Sequence, residues 1–153
     1  MLIDRGNKVE YSIIDGWWKD TGNPGDLLEA NMKLLDKYSE VNNYGETVNS
    51  SILGRVFIGK NSRIEDSKII GPAFIGENAK IVDSVIGAYS SIGNSVKVTR
   101  SNISYSLVIE ESVLNNVDIS FSIIGKKTLL EKTEDNFKSS NYIIGENTRI
   151  TVR

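Results

Sequence analysis

The sequence predicts an all-β fold, a left-handed parallel β-helix with about 17 residues per coil, preceded by a short strand and a helix. Three observations carry this. Isoleucine and valine number 20 and 12 against 10 leucines in 153 residues, a balance that suits pleated surfaces rather than helices. The chain aligns with itself line on line at that same offset: ILGRVFIGKNSRIEDSK from Ile52, IIGPAFIGENAKIVDSV from Ile69, IGAYSSIGNSVKVTRSN from Ile86 and ISYSLVIEESVLNNVDI from Ile103. Between the aliphatic positions lie short turns rich in Gly, Asn, Ser and Asp.

Taken in chain order, Val9–Ile14 reads as a strand with partial alternation. Asn23 and Pro24 then signal a helix start, since Asn caps and Pro suits the first helical position, while Asp26 favours the positive end of the helix dipole. Over residues 24–39, Leu27, Leu28, Leu34, Leu35 and Tyr38 form one broad apolar face. Residues 41–47, with two asparagines and Gly45, read as a linker.

The β-helix is expected over residues 48–125. Within each line the aliphatic columns follow one another as Ile52, Ile58, Ile64 and then Ile69 do, steps too long for either helical or plain strand periodicity. One inward aliphatic residue on each of three sides gives a triangular prism of parallel strands, its coils stacked at about 4.8 Å. The expected inward residues are Ile52, Ile69, Ile86 and Ile103; Ile58, Ile75, Ile92 and Ile109; and Ile64, Ile81 and Val98, with Asn115 failing the third column. A glycine follows the middle column at Gly59, Gly76 and Gly93, where Glu110 stands in the fourth line and suggests a register shift. Glycine or asparagine is expected at corners that need positive φ. A β-sandwich with accidental spacing is the alternative, and three columns held over several lines weigh against it. Residues 126–142 read as a loop or excursion. Residues 143–153 resume the form as a final partial coil, because Ile144–Ile150 repeats the pattern of Ile75–Ile81.

Composition excludes whole classes of chemistry. There is no histidine and no cysteine, so disulfides, thiolate nucleophiles, Cys/His zinc sites and imidazole catalysis are absent. A net charge of -2 with no basic stripe does not indicate a nucleic-acid surface. Apolar runs stay well short of the roughly 18 residues of a membrane span. Charges at Asp4 and Arg5 stand where a signal peptide needs its apolar segment, so a cytoplasmic location is expected.

The run GWWKDTGNPGDLLEAN at residues 16–31, preceded by LIDRG at residues 2–6, resembles the end of the catalytic domain in sugar-1-phosphate nucleotidyltransferases. The resemblance is greatest to the long form of glucose-1-phosphate thymidylyltransferase, which carries a C-terminal β-helix. It implies that residues 1–40 close a nucleotidyltransferase domain and that the chain is the C-terminal part of an enzyme joining glucose 1-phosphate to dTTP, with pyrophosphate leaving. It further implies Mg²⁺ held by two aspartates in the whole enzyme, the later one matched by Asp20, and carboxylates suit a hard cation. Trp18, Lys19 and Gly22 lie in the same motif as weaker substrate-binding candidates.

Departures limit what this chain does alone. It contains no Gly-Gly pair and no glycine-rich loop to cradle a triphosphate, and the domain carrying the first metal aspartate is missing. Asp20 is therefore a ligand without its partner, no bound cofactor is expected, and the chain alone is expected to be inactive. At least one of Trp17 and Trp18, which point to opposite sides of an extended chain, is expected in the core against Leu27, Leu28 and Leu35. Prisms of this kind also occur in acyltransferases using acetyl-coenzyme A. Their usual histidine base is absent here, and Glu110 or Glu111 is a poor substitute. The remaining reading is structural: a prism that assembles subunits, most naturally a trimer through its faces, or that regulates the catalytic domain.

Overall fold

The computed structural model describes residues 10–13, 15–37, 42–133 and 139–152. Helix α1 spans Pro24–Lys37, against the expected 24–39. The Asp26 N–H donates to Asn23 Oδ1 at 3.0 Å, so Asn23 caps the helix and meets one of its unpaired donors. Tyr38 and Ser39 lie outside the described residues.

The first coil holds β1 (Asn42–Asn43), β2 (Glu46–Val48) and β3 (Ser51–Leu53). The second holds β4 (Val56–Ile58), β5 (Arg63–Glu65) and β6 (Lys68–Ile70). The third holds β7 (Ala73–Ile75), β8 (Lys80–Val82) and β9 (Val85–Ile86), and the fourth β10 (Ser90–Ile92), β11 (Lys97–Thr99) and β12 (Asn102–Ser104). Then come β13 (Leu107–Val108), β14 (Val113–Asn115) and β15 (Asp118–Ser120), followed by β16 (Ile123–Ile124) and β17 (Leu129–Lys132). Strands β18 (Ile143–Ile144) and β19 (Arg149–Val152) complete the order.

These strands form three parallel sheets, one per side of the solenoid. The first runs β1-β4-β7-β10-β13-β16-β18, the second β2-β5-β8-β11-β14-β17-β19 and the third β3-β6-β9-β12-β15. Inward residues stack in register, Ile58 on Ile75 on Ile92 and Ile64 on Ile81 on Val98. Ile58, Ile64, Ile69, Ile75, Ile81, Ile86, Ile92 and Val98 are fully buried and Ile103 nearly so, while Ile52 in the first coil is only partly covered. Burying such a side chain stabilises by roughly 1.5–3 kcal/mol, which makes the columns the main source of stability.

Four expectations need correction. Ile109 is not an inward residue: Ile92 pairs with Val108, Val98 with Leu114 and Ile103 with Ile119. The corner between Ile103 and Val108 is one residue shorter than that between Ile86 and Ile92, so the repeat contracts there. Leu114 thereby replaces Asn115 in the core, and Ile109 rather than Glu110 occupies the glycine column. Secondly, of the linker expected over 41–47, residues 42–47 belong to the first coil, because β1 pairs with β4 and β2 with β5, while Val41 lies outside the described residues.

Thirdly, the expected excursion over 126–142 is shorter. Strand β17 stacks on β14, and its Leu130 continues the column of Leu114. After residues 134–138, which are not described, β18 and β19 pair with β16 and β17. Ile144 is buried and Ile150 packs against the core. Finally, Glu10–Ile13 carry no strand. Val9 and Ile14 are not described.

Corners and glycines divide their roles differently from expectation. Positive φ is met by Asn61 and Asn78, but also by Glu111, Arg100, Tyr89, Tyr105 and Phe121. Gly59 is required for space: a Cβ there would lie 2.6 Å from the carbonyl carbon of Gly76 in the next coil. Serines carry hydrogen bonds from coil to coil. Ser84 N–H donates to Ser67 Oγ at 3.1 Å and Ser101 N–H to Ser84 Oγ at 3.0 Å, each hydroxyl donating in turn to a carbonyl two residues back. Among the described residues no buried side-chain polar atom lacks a partner.

Candidate functional site

Two places bring chemistry-bearing side chains together. The first is the approach to α1. Lys19 Nζ lies 2.8 Å from Asp26 and 2.6 Å from Glu29, which ties the segment to the first turns of the helix. The hydrogen bonds with Asp26 and then Glu29 raise the Lys19 pKa above 10.5. Lys19 thus neutralises helix carboxylates here. Asp20 and Gly22 are exposed, and the Asp20 carboxylate folds back toward Gly22, where an added Cβ would meet its Oδ1 at 3.6 Å.

The expected burial of Trp17 or Trp18 is not found, since they are 53% and 72% exposed. Leu28, Ala30 and Leu35 form the buried side of α1, and the Lys33 ammonium stands 5.7 Å from the Trp17 ring centroid. Among the described residues no cluster of three or more carboxylates could hold a metal ion. Mg²⁺ prefers six oxygen ligands in near-octahedral order, so the exposed Asp20 carboxylate could be one ligand but does not form a site by itself.

The second place is the junction of α1 with the prism, which sequence reading missed. Asn31 Nδ2 donates to the Tyr89 carbonyl at 3.2 Å, and Ser91 Oγ donates to Asn31 Oδ1 at 2.6 Å. Arg55 donates to the Asp36 carbonyl at 2.6 Å and to its carboxylate at 3.2 Å, and the Tyr89 hydroxyl donates to the same carboxylate at 3.1 Å. That bond to Asp36 is the main reason the Tyr89 pKa lies above 10.0. A cavity of about 360 Å³ opens between helix and sheet, lined by Leu34, Leu35, Phe57, Ala73 and Phe74 with Asn31, Arg55 and Ser91. One signal was available: a single corner column runs Arg55, Pro72, Tyr89, Tyr105 and Phe121, large residues where turns usually hold small ones.

Glu110, considered as a substitute base, pairs with Lys126 at 2.9 Å, and this hydrogen bond lowers its pKa below 4.5. Such a carboxylate is a weaker base than an ordinary glutamate.

The chain is thus a parallel β-solenoid behind a capped helix, with a Trp-x-Asp-Thr-Gly run leading into that helix. No family model matches the sequence. The chain is 31% identical over 153 residues to a glucose-1-phosphate thymidylyltransferase of Streptomyces antibioticus, covering 99% of this chain and 43% of that protein. It is 27% identical to the enzyme of the same name from Streptomyces griseus over 152 residues, with the same coverage. A shorter match, 31% over 61 residues, joins it to a low-salt glycan biosynthesis nucleotidyltransferase of Haloferax volcanii, covering 40% of this chain and 17% of that protein. The chain corresponds to the C-terminal part of glucose-1-phosphate thymidylyltransferases and spans less than half the length of the relatives it matches. Among the described residues no helix is long and apolar enough to cross a membrane.

Proposed function

We propose that this chain is the C-terminal part of a cytoplasmic enzyme that joins glucose 1-phosphate to dTTP, giving dTDP-glucose and pyrophosphate. The observation that carries the reading is the match to two glucose-1-phosphate thymidylyltransferases over 99% of the chain. In the whole enzyme Asp20 supplies one carboxylate to Mg²⁺, whose charge offsets that building on the phosphates, and the remaining ligands lie outside this chain. Exposed Trp17 and Trp18 face the remainder of that enzyme, which removes from water an apolar surface that is otherwise a liability. This chain alone has no triphosphate cradle and is inactive. Its prism serves assembly or regulation, with a trimer through the flat faces as the assembly, a role supported by the regular outer surface and open ends of a stacked solenoid.

Pyrophosphate release from dTTP and glucose 1-phosphate by the full-length protein tests the activity. Asp20→Asn is expected to lower it about a hundredfold or more, because a metal's charge stabilisation amounts to several kcal/mol. An unaffected variant removes Asp20 from the metal site, and an inactive unmutated protein overturns the reading. Sedimentation of this chain at micromolar concentration tests the assembly, which a clean monomer refutes.

A further inference from the structure

The seat of α1 divides the first sheet along its length. The helix is tied to the prism at Arg55 ahead of β4, and at Tyr89 and Ser91 by β10. Beyond that seat, in β13, β16 and β18 and the corners leading into them, the outer surface is apolar. Tyr105 and Phe121 stack with centroids 4.9 Å apart, continuing a ladder that starts at Tyr89, whose hydroxyl holds Asp36 of the helix. In the next column Leu107, Ile123 and Ile143 follow one another in register. Ile143 is 61% exposed and Phe121 50%, with Tyr105 at 36%.

Residues 103–108, 119–124 and 139–144, which build this panel, include no charged side chain, although charges make up 25% of the sequence. Outward positions of the other sheets differ: the second carries Arg63, Lys80 and Lys97, and the third Lys68 and Asp118. Depletion of charge with enrichment in aromatic residues marks the centre of a protein–protein contact, and an apolar panel of this kind is a liability in water.

The course of the chain points to the occupant. Asn31 is held at β10 while Asp36 reaches Arg55, so α1 runs from later coils toward earlier ones. The approach segment returns beside it, with Lys19 at Asp26 and Glu29 and Trp17 farther along at Lys33. The chain before Trp17 thus comes from the side of the first coils. In the transferase reading, the domain ahead of residue 1 is therefore brought to the opposite end from Ile143. We propose that the panel seats a second copy of this chain, with the Tyr105–Phe121 corner and Ile143 forming the contact between prisms. This rests on the assembly reading above and names the face and the residues that it uses.

Sedimentation velocity of the 153-residue chain at micromolar concentration is the test. The unmutated chain is expected to be an oligomer. Phe121→Asp and Ile143→Lys each place an unpaired charge in the contact and are expected to weaken it about a hundredfold, giving monomers. Phe121 has a φ of 46°, a conformation that aspartate tolerates, and Ile143 points outward, so both variants keep the fold, which circular dichroism checks. Val82→Lys, outward on the second sheet, is expected to leave the oligomer intact. An oligomer that persists in either folded panel variant, or that Val82→Lys breaks as readily, overturns this face while leaving assembly standing. A monomeric unmutated chain overturns the assembly reading and this proposal together.

Discussion

The glycine column offers a direct measure of how tightly the coils stack. A Cβ built on Gly59 falls 2.6 Å from the carbonyl carbon and 2.7 Å from the carbonyl oxygen of Gly76, and 2.7 Å from the Glu77 nitrogen. All three are backbone atoms held by the ladder of the next coil, so no flexible side chain can move aside. Gly59→Ala therefore separates two coils or bends one, and overpacking of this kind costs about 1–3 kcal/mol. Replacing glycine by alanine also stiffens the unfolded chain and returns about 0.4–1 kcal/mol. The expected net loss is about 1–2 kcal/mol, or a fall in Tm of roughly 2–8 °C for a chain of this size. Gly145, in the same column of the last coil, is the internal control. A Cβ there meets nothing within 4 Å and its φ is not in the left-handed region, so Gly145→Ala keeps only the unfolded-state gain. Urea and thermal unfolding followed by circular dichroism compare the two. Equal effects, or a stabilising Gly59→Ala, would refute the idea that coil contact rather than backbone conformation selects glycine here.

The register change makes its own prediction. Ile81→Ala removes a fully buried side chain and is expected to cost about 2–5 kcal/mol, whereas Ile109→Ala costs clearly less because Val108 holds the inward place. Urea midpoints decide, and equal losses would restore the unbroken register. Acidification tests the Glu110–Lys126 pair. The folded pKa of Glu110 lies below 4.5, so its contribution is present above that pH and is lost as pH falls through the folded value. The acid limb of the stability curve is expected to be shallower in Lys126→Ala, and identical limbs would show that the exposed pair contributes nothing measurable.

Legibility from sequence followed the range of the interactions involved. The three columns could be read because each inward side chain repeats locally, as at Ile58, Ile75 and Ile92. The contraction of the repeat was hidden because Val108 and Ile109 are both aliphatic and either could face inward. Strand β17 was hidden because Leu129 and Leu130 stand in a run of mostly polar residues from Lys126 to Asn141. Helix α1 was legible from Asn23, Pro24 and its leucines. Its seat on the prism was not, since Asn31 meets Tyr89 across 58 residues of chain and no local pattern encodes that pairing. Similarly, at least one of Trp17 and Trp18 was expected in the core because adjacent side chains point to opposite sides, although the helix buries Leu28 and Leu35 without either. For Asp20 the motif was readable, but among the described residues no cluster of carboxylates accompanies it.

The short corner between Ile103 and Val108 has a consequence for how such a chain tolerates change in length. In a hairpin or flat sheet, a lost residue moves every following side chain to the opposite face. Here Val108, Leu114 and Ile119 remain inward although the step has shortened, and Ile124 and Ile144 still pair across a longer one. The corners absorb the difference before the next strand begins. Each turn of the solenoid is thus an independent length unit, and residues can be lost or inserted at one corner without rewriting the inward columns beyond it.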